Sequence, residues 1–341
     1  MKTYKNIWQD FISMDNLKLA AKKAVKSKKT KKQTKRFLAN QDDMLQKLQQ
    51  MLMRGHFKTS GYNVFSVFEP KQRLIYELPL YPDHIVHHAI INVLGPLWQR
   101  SFVRDSYACI PGRGIHSASR QTGLFVKRNK YVLQCDIRKF YPNVNHDVVM
   151  DILKRKIKDR RMLNLLRNIV YSMPGGTNLP IGNLTSQWLG NVYLNQLDMF
   201  VKHVLGCRDY VRYSDDFCLF GNDKKQLGKF AEAIQFFVQD KLKLQFSKCD
   251  LHLVRDGVDF IGYRHFPGFV LLRKRSIARI KKRVLKIAQT RDRSDRAMFQ
   301  LASTKGFLSH AKVFHFKRFL LRRVAAFNSG AMNEFISHGI L

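Results

Sequence analysis

Apolar and polar residues follow two different periods along the chain. Between Tyr62 and Pro79 short apolar runs alternate with polar positions (VFSVFEP, then RLIYELPL), a pattern typical of paired strands. In TSQWLGNVYLNQLDMFVKHVL the apolar residues recur every three or four positions, which predicts one long helix. Further helices are predicted in DDMLQKLQQMLMRG, in YPDHIVHHAIINVLGPLW and in FAEAIQFFVQDKL. Because the elements mix without a βαβ repeat, the pattern favours an α+β fold with helices backing a sheet.

Two segments place acidic residues at the ends of predicted strands. KYVLQCDIRKFYPNV contains a strand with three apolar residues on one face and with Gln134 and Asp136 on the other. YVRYSDDFCLF sets Asp215 and Asp216 between two apolar runs. Successive strand residues point to opposite faces, so these two aspartates can act together only if the chain turns between them. We therefore predict a tight hairpin tip, with Asp136 beside it on an adjacent antiparallel strand.

Three converging carboxylates would repel one another strongly unless divalent cations neutralised them. Ligands that are all oxygen select Mg²⁺ or Mn²⁺. Two such ions about 3.5–4 Å apart would clamp the attacking and leaving oxygens of an in-line phosphoryl displacement. The simpler alternative is a polar hairpin tip without metal, because aspartate is common where a strand reverses.

The charge balance narrows the class of partner. The 341 residues include 61 Lys and Arg against 25 Asp and Glu, a net charge of +36, and the pI is near 10.3. This excess predicts a polyanionic partner, above all nucleic acid. Five cysteines without CxxC spacing, and the absence of an export signal or of a membrane-spanning run, lead us to expect a cytoplasmic protein with no membrane partner.

Basic residues concentrate at both ends of the chain. Lys18 to Arg36 carries 10 basic residues and no acid, which is too much like charge for a packed core face, so we expect either a disordered tail or an RNA-binding arm. A folded domain is expected to begin near Asn40. Towards the other end, two basic amphipathic helices, joined by a polar segment around RDRSD, fit a clamp on a duplex backbone or a solvated helix pair.

Five ordered segments carry a resemblance to a known family. DIRKFYPNV, LPIGNLTSQ, YSDD, LQFSKC and VDFIGY resemble, in order and spacing, the palm motifs of reverse transcriptases, and SYACIPGRGIHSA resembles the fingers segment of bacterial members. IGNLTSQ is similar to the form found in diversity-generating retroelements. The resemblance implies a right-hand polymerase fold, with fingers, palm and short helical thumb. It also implies an RNA-directed DNA polymerase that makes error-prone cDNA.

The resemblance assigns roles by position. It implies that Asp136, Asp215 and Asp216 are catalytic and that, with the backbone carbonyl of Ile137, they hold two Mg²⁺ or Mn²⁺ ions. Tyr141, five residues after Asp136, falls at the steric gate against a ribose 2′-hydroxyl. The other implied substrate-binding residues are Lys71 and Arg73, which would grip the triphosphate, and Ile181, Gly182 and Gln187. The implied primer grip consists of Phe260, Gly262 and Tyr263.

Two further assignments have alternatives. Lys248, in SKC, falls where a proton donor to the leaving pyrophosphate is expected, or it is a solvated residue at a strand edge. His84, His87 and His88 lie on one predicted helix without a companion Cys or Glu motif, so we favour a structural role over a zinc site.

Three regions are predicted: a basic N-terminal segment with the first helix (1–60), fingers and palm (61–263), and a basic helical thumb (264–341). The expected partners are template RNA, the cDNA/RNA duplex, dNTPs and, as the subfamily implies, an oligomer of a small basic accessory variability protein. No room for an RNase H domain is expected after the thumb. The alternatives are a retron or group II intron type reverse transcriptase, or a catalytically idle RNA-binding relative, against which the intact carboxylate triad argues.

Overall fold

The first four helices belong to the main body of the protein. The structure is a computed structural model that describes residues 3–26, 28–68, 72–290, 292 and 294–327. The helices are α1 (Trp8–Ile12), α2 (Met14–Ala24), α3 (Lys32–Ala39) and α4 (Gln41–Met53). Ser13 begins α2, because its hydroxyl accepts a hydrogen bond from the backbone N–H of Asn16 at 3.2 Å.

A disordered tail up to about Asn40 was one expectation for this N-terminal segment, and it was wrong. Helix α2 buries an apolar face made of Leu17, Ala20, Ala21 and Ala24, so the folded domain begins before Asn40, and contact of the segment with RNA stays a prediction. The lysines between them, such as Lys22 and Lys23, are exposed. A helical period of 3.6 lets a strongly basic segment keep one apolar stripe, which a count of charges does not reveal.

A two-stranded hairpin and two helices follow. Strands β1 (Asn63–Phe68) and β2 (Gln72–Glu77) pair antiparallel, as predicted, and most of their side chains are exposed. An irregular turn, Leu80–His84, in which the backbone of Tyr81 is extended, leads into α5 (Ile85–Gln99), and α6 (Ile115–Arg128) comes next. The hairpin, which we call the fingers hairpin, is therefore attached to the body mainly at its base.

The centre of the fold is a four-stranded antiparallel sheet in the order β4-β5-β3-β6. Its strands are β3 (Tyr131–Ile137), β4 (Tyr210–Tyr213), β5 (Asp216–Gly221) and β6 (Phe246–Leu253). One face packs into a first core, in which Leu133, Cys135 and Ile137 share a cluster with residues of the N-terminal helices, of α5 and of five helices that we call the palm helices. The palm helices are α7 (Phe140–Asn143), α8 (His146–Lys156), α9 (Arg160–Val170), α10 (Leu184–Met199), which continues as a π-helical turn to Val204, and α11 (Lys224–Asp240).

The opposite face of the sheet packs into a second core. Val132, Val211 and Cys218 contribute to it, together with α6 and a three-stranded sheet of β7 (Val258–Phe260), β8 (Tyr263–Phe266) and β9 (Phe269–Leu272). Helices α12 (Lys274–Thr290), α13 (Asp295–Leu308) and α14 (Phe314–Phe327) complete it. The sequence prediction missed α13, which Ser294 caps, and expected only a polar connection there.

The α+β class is confirmed, since helices cover both faces of an antiparallel sheet. Throughout the described part of the chain, every helix is too short or too polar to cross a membrane.

Candidate active site

The predicted hairpin tip is present between β4 and β5. Tyr213 pairs with Asp216, so the turn consists of the two residues Ser214 and Asp215. Ser214 has a φ of 58°, in the left-handed region that two-residue hairpin turns require. As a result Asp215 lies in the turn while Asp216 begins the next strand, and the alternation that would separate the two carboxylates is broken.

The neighbouring strand brings the third carboxylate to the same place. In the register of β3 against β5, Asp136 lies directly opposite Asp216. Such cross-strand partners point to the same face of a sheet. On the other side of β3, Ser247 donates a hydrogen bond to the Asp136 carboxylate, next to an irregularity in the β3–β6 register between Asp136 and Ile137. The fold therefore gathers all three predicted aspartates at one end of the central sheet.

The electrostatics of this cluster favour a bound cation. Burial, followed by repulsion from the Asp136 and Asp215 carboxylates, raises the pKa of Asp216 from 3.8 to about 7. Burial also raises the pKa of Asp215, and the Arg73 guanidinium opposes this increase. Ionised carboxylates are thus destabilised here, and positive charge would relieve the repulsion.

The donor set fits a divalent metal ion in its chemistry, because it consists of carboxylate oxygens. Within the described residues, no three His, Cys, Asp or Glu side chains are already grouped closely enough to hold an ion. Asp136, Asp215 and Asp216 would therefore have to turn towards a cation on binding it. The Ile137 side chain is buried in the first core, so only its backbone carbonyl could contribute.

Tyr141 lies beside the carboxylate cluster. It belongs to the short helix α7, and its half-buried ring packs against Gly190 of α10. A β-carbon at Gly190 would lie 3.3 Å from the Tyr141 ring and 3.1 Å from the Phe140 ring, so only glycine leaves this space. Burial raises the pKa of Tyr141 well above its ordinary value, and the hydroxyl stays protonated at neutral pH.

The fingers hairpin docks on the loop that precedes α10. The backbone N–H of Tyr76 donates to the carbonyl of Ile181 at 2.8 Å. Gly182 has a φ of 117°, and a β-carbon there would lie 3.0 Å from the Tyr76 carbonyl oxygen. Arg73 is paired with Val67 on this hairpin. The hairpin that carries Arg73 thus contacts the loop that carries Ile181 and Gly182 through Tyr76, while Lys71 lies outside the described residues.

Two further predicted residues lie on exposed or semi-exposed positions. Gln187 is exposed in the first turn of α10. Lys248 lies opposite Asp136 in the register of β6 against β3, but its Nζ donates to Gln134 Oε1 at 3.3 Å and is 3.5 Å from Asp250 Oδ2. Its ammonium group is therefore held along the sheet face by those two partners.

The residues predicted as primer grip form the β7–β8 turn. Phe260 pairs with Tyr263, and Ile261 and Gly262 make the turn with φ values of 46° and 87°. The side chains of Phe260 and Tyr263 are buried in the second core, where the Tyr263 ring stacks on Phe307 at 4.4 Å. These two side chains support the turn, and the turn backbone is what could meet another molecule.

The three histidines pack around the start of α5. His87 is fully buried, with Nδ1 at 3.3 Å from the Thr185 hydroxyl, and burial lowers its pKa to about 3. His84 Nε2 lies 3.1 Å from the Leu78 carbonyl oxygen. Burial also lowers the pKa of His88 to about 4, so all three side chains are neutral at physiological pH.

A buried ion pair that was not predicted from the sequence lies directly behind the hairpin tip. Arg212 of β4 and Asp198 of α10 are both fully buried and form a bidentate salt bridge. Asn191 of α10 also accepts a hydrogen bond from Arg212. The available signal was an arginine within the apolar run YVRY, together with polar residues on the apolar stripe of a long helix.

Comparisons with known proteins show the family of the chain. Residues 69–265 match the family model described as reverse transcriptase (RNA-dependent DNA polymerase). The chain is 26% identical over 282 residues to protein YkfC of Escherichia coli (strain K12), covering 68% of this chain and 72% of that protein. It is 25% identical over 134 residues to the group II intron-encoded protein LtrA of Lactococcus lactis subsp. cremoris, covering 36% of this chain and 22% of that protein.

Among solved structures, telomerase from Candida albicans, in complex with a fragment of telomeric RNA, is similar with a TM-score of 0.49 at 9% identity, covering 84% of this chain and 64% of that one. The chain spans about a fifth of LtrA but nearly three quarters of YkfC. The family model covers more than half of the chain, including all three aspartates of the cluster. The chain therefore belongs to the reverse transcriptase (RNA-dependent DNA polymerase) family.

Proposed function

We propose that the cluster of Asp136, Asp215 and Asp216 is the centre at which this enzyme copies RNA into DNA. The observation that carries the proposal is the register that sets Asp136 opposite Asp216, with Asp215 in the adjoining turn. A primer 3′-hydroxyl attacks the α-phosphate of a dNTP, and pyrophosphate leaves. Two divalent cations, Mg²⁺ or Mn²⁺, held by the three carboxylates and the Ile137 carbonyl, would activate the nucleophile and neutralise the triphosphate.

The surrounding residues position the substrates. Arg73 of the fingers hairpin, together with Lys71, binds the triphosphate, a role supported by the exposed position of Arg73 on β2 and by the geometry of a guanidinium, which suits phosphate. Tyr141 excludes a ribose 2′-hydroxyl by its bulk. The loop before α10 and the first turn of that helix contact the nascent base pair through Ile181, Gly182 and Gln187.

Two groups complete the proposed centre. Lys248 protonates the leaving pyrophosphate after exchanging its hydrogen bond to Gln134 and its ion pair with Asp250 for contacts to phosphate. The β7–β8 turn, centred on Gly262 and supported by Phe260 and Tyr263, holds the primer strand. In this scheme 61–263 forms fingers and palm, and 264–341 forms the thumb that clamps the cDNA/RNA duplex.

At the finer level we infer that the enzyme serves a diversity-generating retroelement in the cytoplasm and works with an oligomer of a small basic accessory variability protein. The motif IGNLTSQ supports this, because Ile181 stands where most reverse transcriptases have a glutamine that can hydrogen-bond near the nascent base pair. An apolar side chain offers no such bond, and selectivity that depends on polar contacts is lost with them. The enzyme therefore misincorporates, most of all opposite template adenine.

A group II intron or retron type enzyme is the second candidate. The similarity to LtrA, a group II intron-encoded protein, favours it. The two candidates differ in fidelity, which can be measured directly. An idle RNA-binding relative is the third, and the gathered carboxylates argue against it, because unused they would only repel one another.

Primer extension on an RNA template with Mg²⁺ tests the reaction. Wild type should incorporate dNTPs, and Asp215→Ala should lose about a thousandfold or more, since metal ligands supply several kcal/mol of transition-state stabilisation. Asp151→Ala, which removes an exposed carboxylate of α8, is the matched control and should stay active. Wild type that incorporates nothing, under conditions where the template is bound, would exclude the polymerase.

Sequencing of the cDNA from a defined RNA template tests the subfamily. Frequent errors opposite adenine, reduced by Ile181→Gln, are expected for the retroelement enzyme. Rare errors spread evenly over all four template bases would instead favour the intron or retron type. The neighbouring DNA should also contain two near-identical repeats that differ at template adenines.

A further inference from the structure

Arg212 donates hydrogen bonds from four of its five side-chain N–H groups behind the hairpin tip. Its Nε and Nη2 donate to the two carboxylate oxygens of Asp198 at 2.7 and 2.6 Å. Its Nη1 donates to Asn191 Oδ1 at 3.2 Å and to the backbone carbonyl of Ser214 at 3.0 Å. Arg212 and Asp198 are both completely inaccessible to solvent. One guanidinium thus joins helix α10 to the turn that carries Asp215.

The same side chain is itself fixed from several directions. Asp198 also accepts a hydrogen bond from the Tyr210 hydroxyl at 2.7 Å, and Asn191 donates to the carbonyl of Ala108 at 2.8 Å. The backbone of Arg212 pairs with the segment around Ser106, which lies along the free edge of β4. Burial would lower the pKa of Arg212, but the Asp198 carboxylate raises it, so the guanidinium stays charged.

The position of Arg212 in the strand explains how it reaches the turn without entering the site. Tyr213 and Asp216 are cross-strand partners and share a face, so Arg212 lies on the opposite face of β4. From there its guanidinium meets the Ser214 carbonyl from behind. That carbonyl belongs to the peptide unit joining Ser214 to Asp215, so its direction fixes the start of the Asp215 backbone.

General stability does not explain this choice of residues. A buried ion pair is often no more stabilising than apolar side chains of similar volume, because both charges lose their hydration. The planar guanidinium of an arginine does, however, fix the directions of the groups to which it donates hydrogen bonds. Ser214 also adopts a left-handed conformation, which a non-glycine residue holds only when its surroundings enforce it. We propose that Arg212, oriented by Asp198 and Asn191, is a positioning residue that holds the Ser214–Asp215 turn in its active conformation.

This inference rests on the proposed catalytic role of the turn. Its test uses Arg212→Lys, which keeps a positive charge beside Asp198 but cannot also reach the Ser214 carbonyl with a fixed fork. The double variant Asp198→Asn/Arg212→Gln removes both buried charges together and leaves no unpaired ion. Arg128→Gln/Asp209→Asn is the matched control, because this pair is also bidentate and adjoins the other end of β4, where the arginine is 61% exposed.

Two measurements are made on each full-length variant. In primer extension, kcat should fall at least tenfold in the Arg212 variants while KM for the dNTP changes less than about threefold, since the turn carries metal-binding groups and not the fingers contacts. In hydrogen exchange, amides of the segment 213–217 should exchange at least tenfold faster, with α10 and β3 unchanged. The control pair should alter neither measurement more than twofold.

The outcomes are separable. A kcat within twofold of wild type in Arg212→Lys overturns the positioning role, and so does faster exchange spread equally over α10 and β3. If the double variant does not fold, Arg212→Lys alone decides the question by the same two criteria. If wild type proves inactive, the proposed function fails, whereas local acceleration of exchange at 213–217 still supports the contact between Arg212 and the turn.

Discussion

Replacing Asp216 by asparagine should stabilise the metal-free protein at alkaline pH. Burial, and then repulsion from the Asp136 and Asp215 carboxylates, raises the pKa of Asp216 from 3.8 to about 7. Because the folded-state pKa lies above the unfolded-state value, the folded protein binds a proton more tightly than the unfolded chain. The stability that this proton supplies is fully present below about pH 4 and is lost as the pH rises through about 7.

The size of the effect follows from the same values. One pKa unit corresponds to about 1.4 kcal/mol, so ionised Asp216 destabilises the metal-free fold by up to about 4 kcal/mol at pH 8. Asparagine occupies the same volume without the charge. We expect Asp216→Asn to raise the free energy of unfolding by about 2–4 kcal/mol at pH 8 and by less than about 1 kcal/mol at pH 4.

Urea unfolding followed by tryptophan fluorescence provides the assay. The three tryptophans, Trp8, Trp98 and Trp188, all lie in the first core, so the signal reports on the body that carries the aspartates. Magnesium at tenfold its dissociation constant should stabilise wild type by about 1.4 kcal/mol and should not stabilise the variant. Asp151→Asn, on the exposed surface of α8, is the matched control.

The result that refutes this reasoning is a variant less stable than wild type at pH 8. An equal gain at pH 4 and pH 8 would also refute it, because the effect would then have nothing to do with ionisation of the carboxylate.

Two single substitutions and one fourfold substitution test the Tyr141 contact, the fingers hairpin and the basic N-terminal helices. Gly190→Ala should displace the Tyr141 ring and change the ratio of ribonucleotide to deoxyribonucleotide incorporation by about tenfold. An unchanged ratio would place the steric gate elsewhere. Gly182→Ala should weaken docking of the fingers hairpin at Tyr76 by about 1 kcal/mol and raise KM for dNTPs about fivefold, whereas a change confined to kcat would contradict this. Neutralising four exposed lysines of α2 and α3 should reduce the slope of log affinity for RNA against log salt by up to about 3, and an unchanged slope would show that this face does not contact RNA.

Sequence patterns predicted the structure best where it depends on residues that are close together in the sequence. The alternation around Asp136 fixed which face of β3 carries the carboxylate, and the doubled aspartate between apolar runs indicated a tight turn. The expectation of disorder over α2 was wrong because the charge of its lysines concealed an apolar stripe centred on Leu17 and Ala21. Helix α13 was not predicted, because the short polar segment before it was interpreted as a connection that continues to the next basic helix.

Contacts between distant segments were beyond any such pattern. Tyr263 belongs to a motif that resembles a primer grip, yet its ring stacks on Phe307, more than forty residues later in the chain. Nothing near Tyr263 in the sequence specifies that partner. The same holds for Gly182, where the Tyr76 carbonyl of the fingers hairpin leaves no space for a side chain.

Helix α10 explains why these contacts matter together. It is buried along nearly its whole length, and a helix buried on all sides is expected to be apolar, but this one includes Asn191, Asn195 and Asp198. A buried polar side chain costs free energy unless it has a partner, so each of these residues specifies a contact. Asn191 and Asp198 hold Arg212, and Asn195 donates to the carbonyl of Ser101 at 3.2 Å.

The remaining positions of this helix face other parts of the site. The loop at its start contacts the fingers hairpin, Gly190 leaves space for the Tyr141 ring, and Asp198 binds Arg212 behind the Ser214–Asp215 turn. The fingers hairpin, the Tyr141 ring and the carboxylate cluster are therefore all placed relative to one rigid element. Because packed cores transmit small displacements, a shift of α10 would disturb all three at once. Its buried polar and glycine positions should therefore tolerate substitution less well than its apolar ones, whose volumes neighbouring side chains can refill.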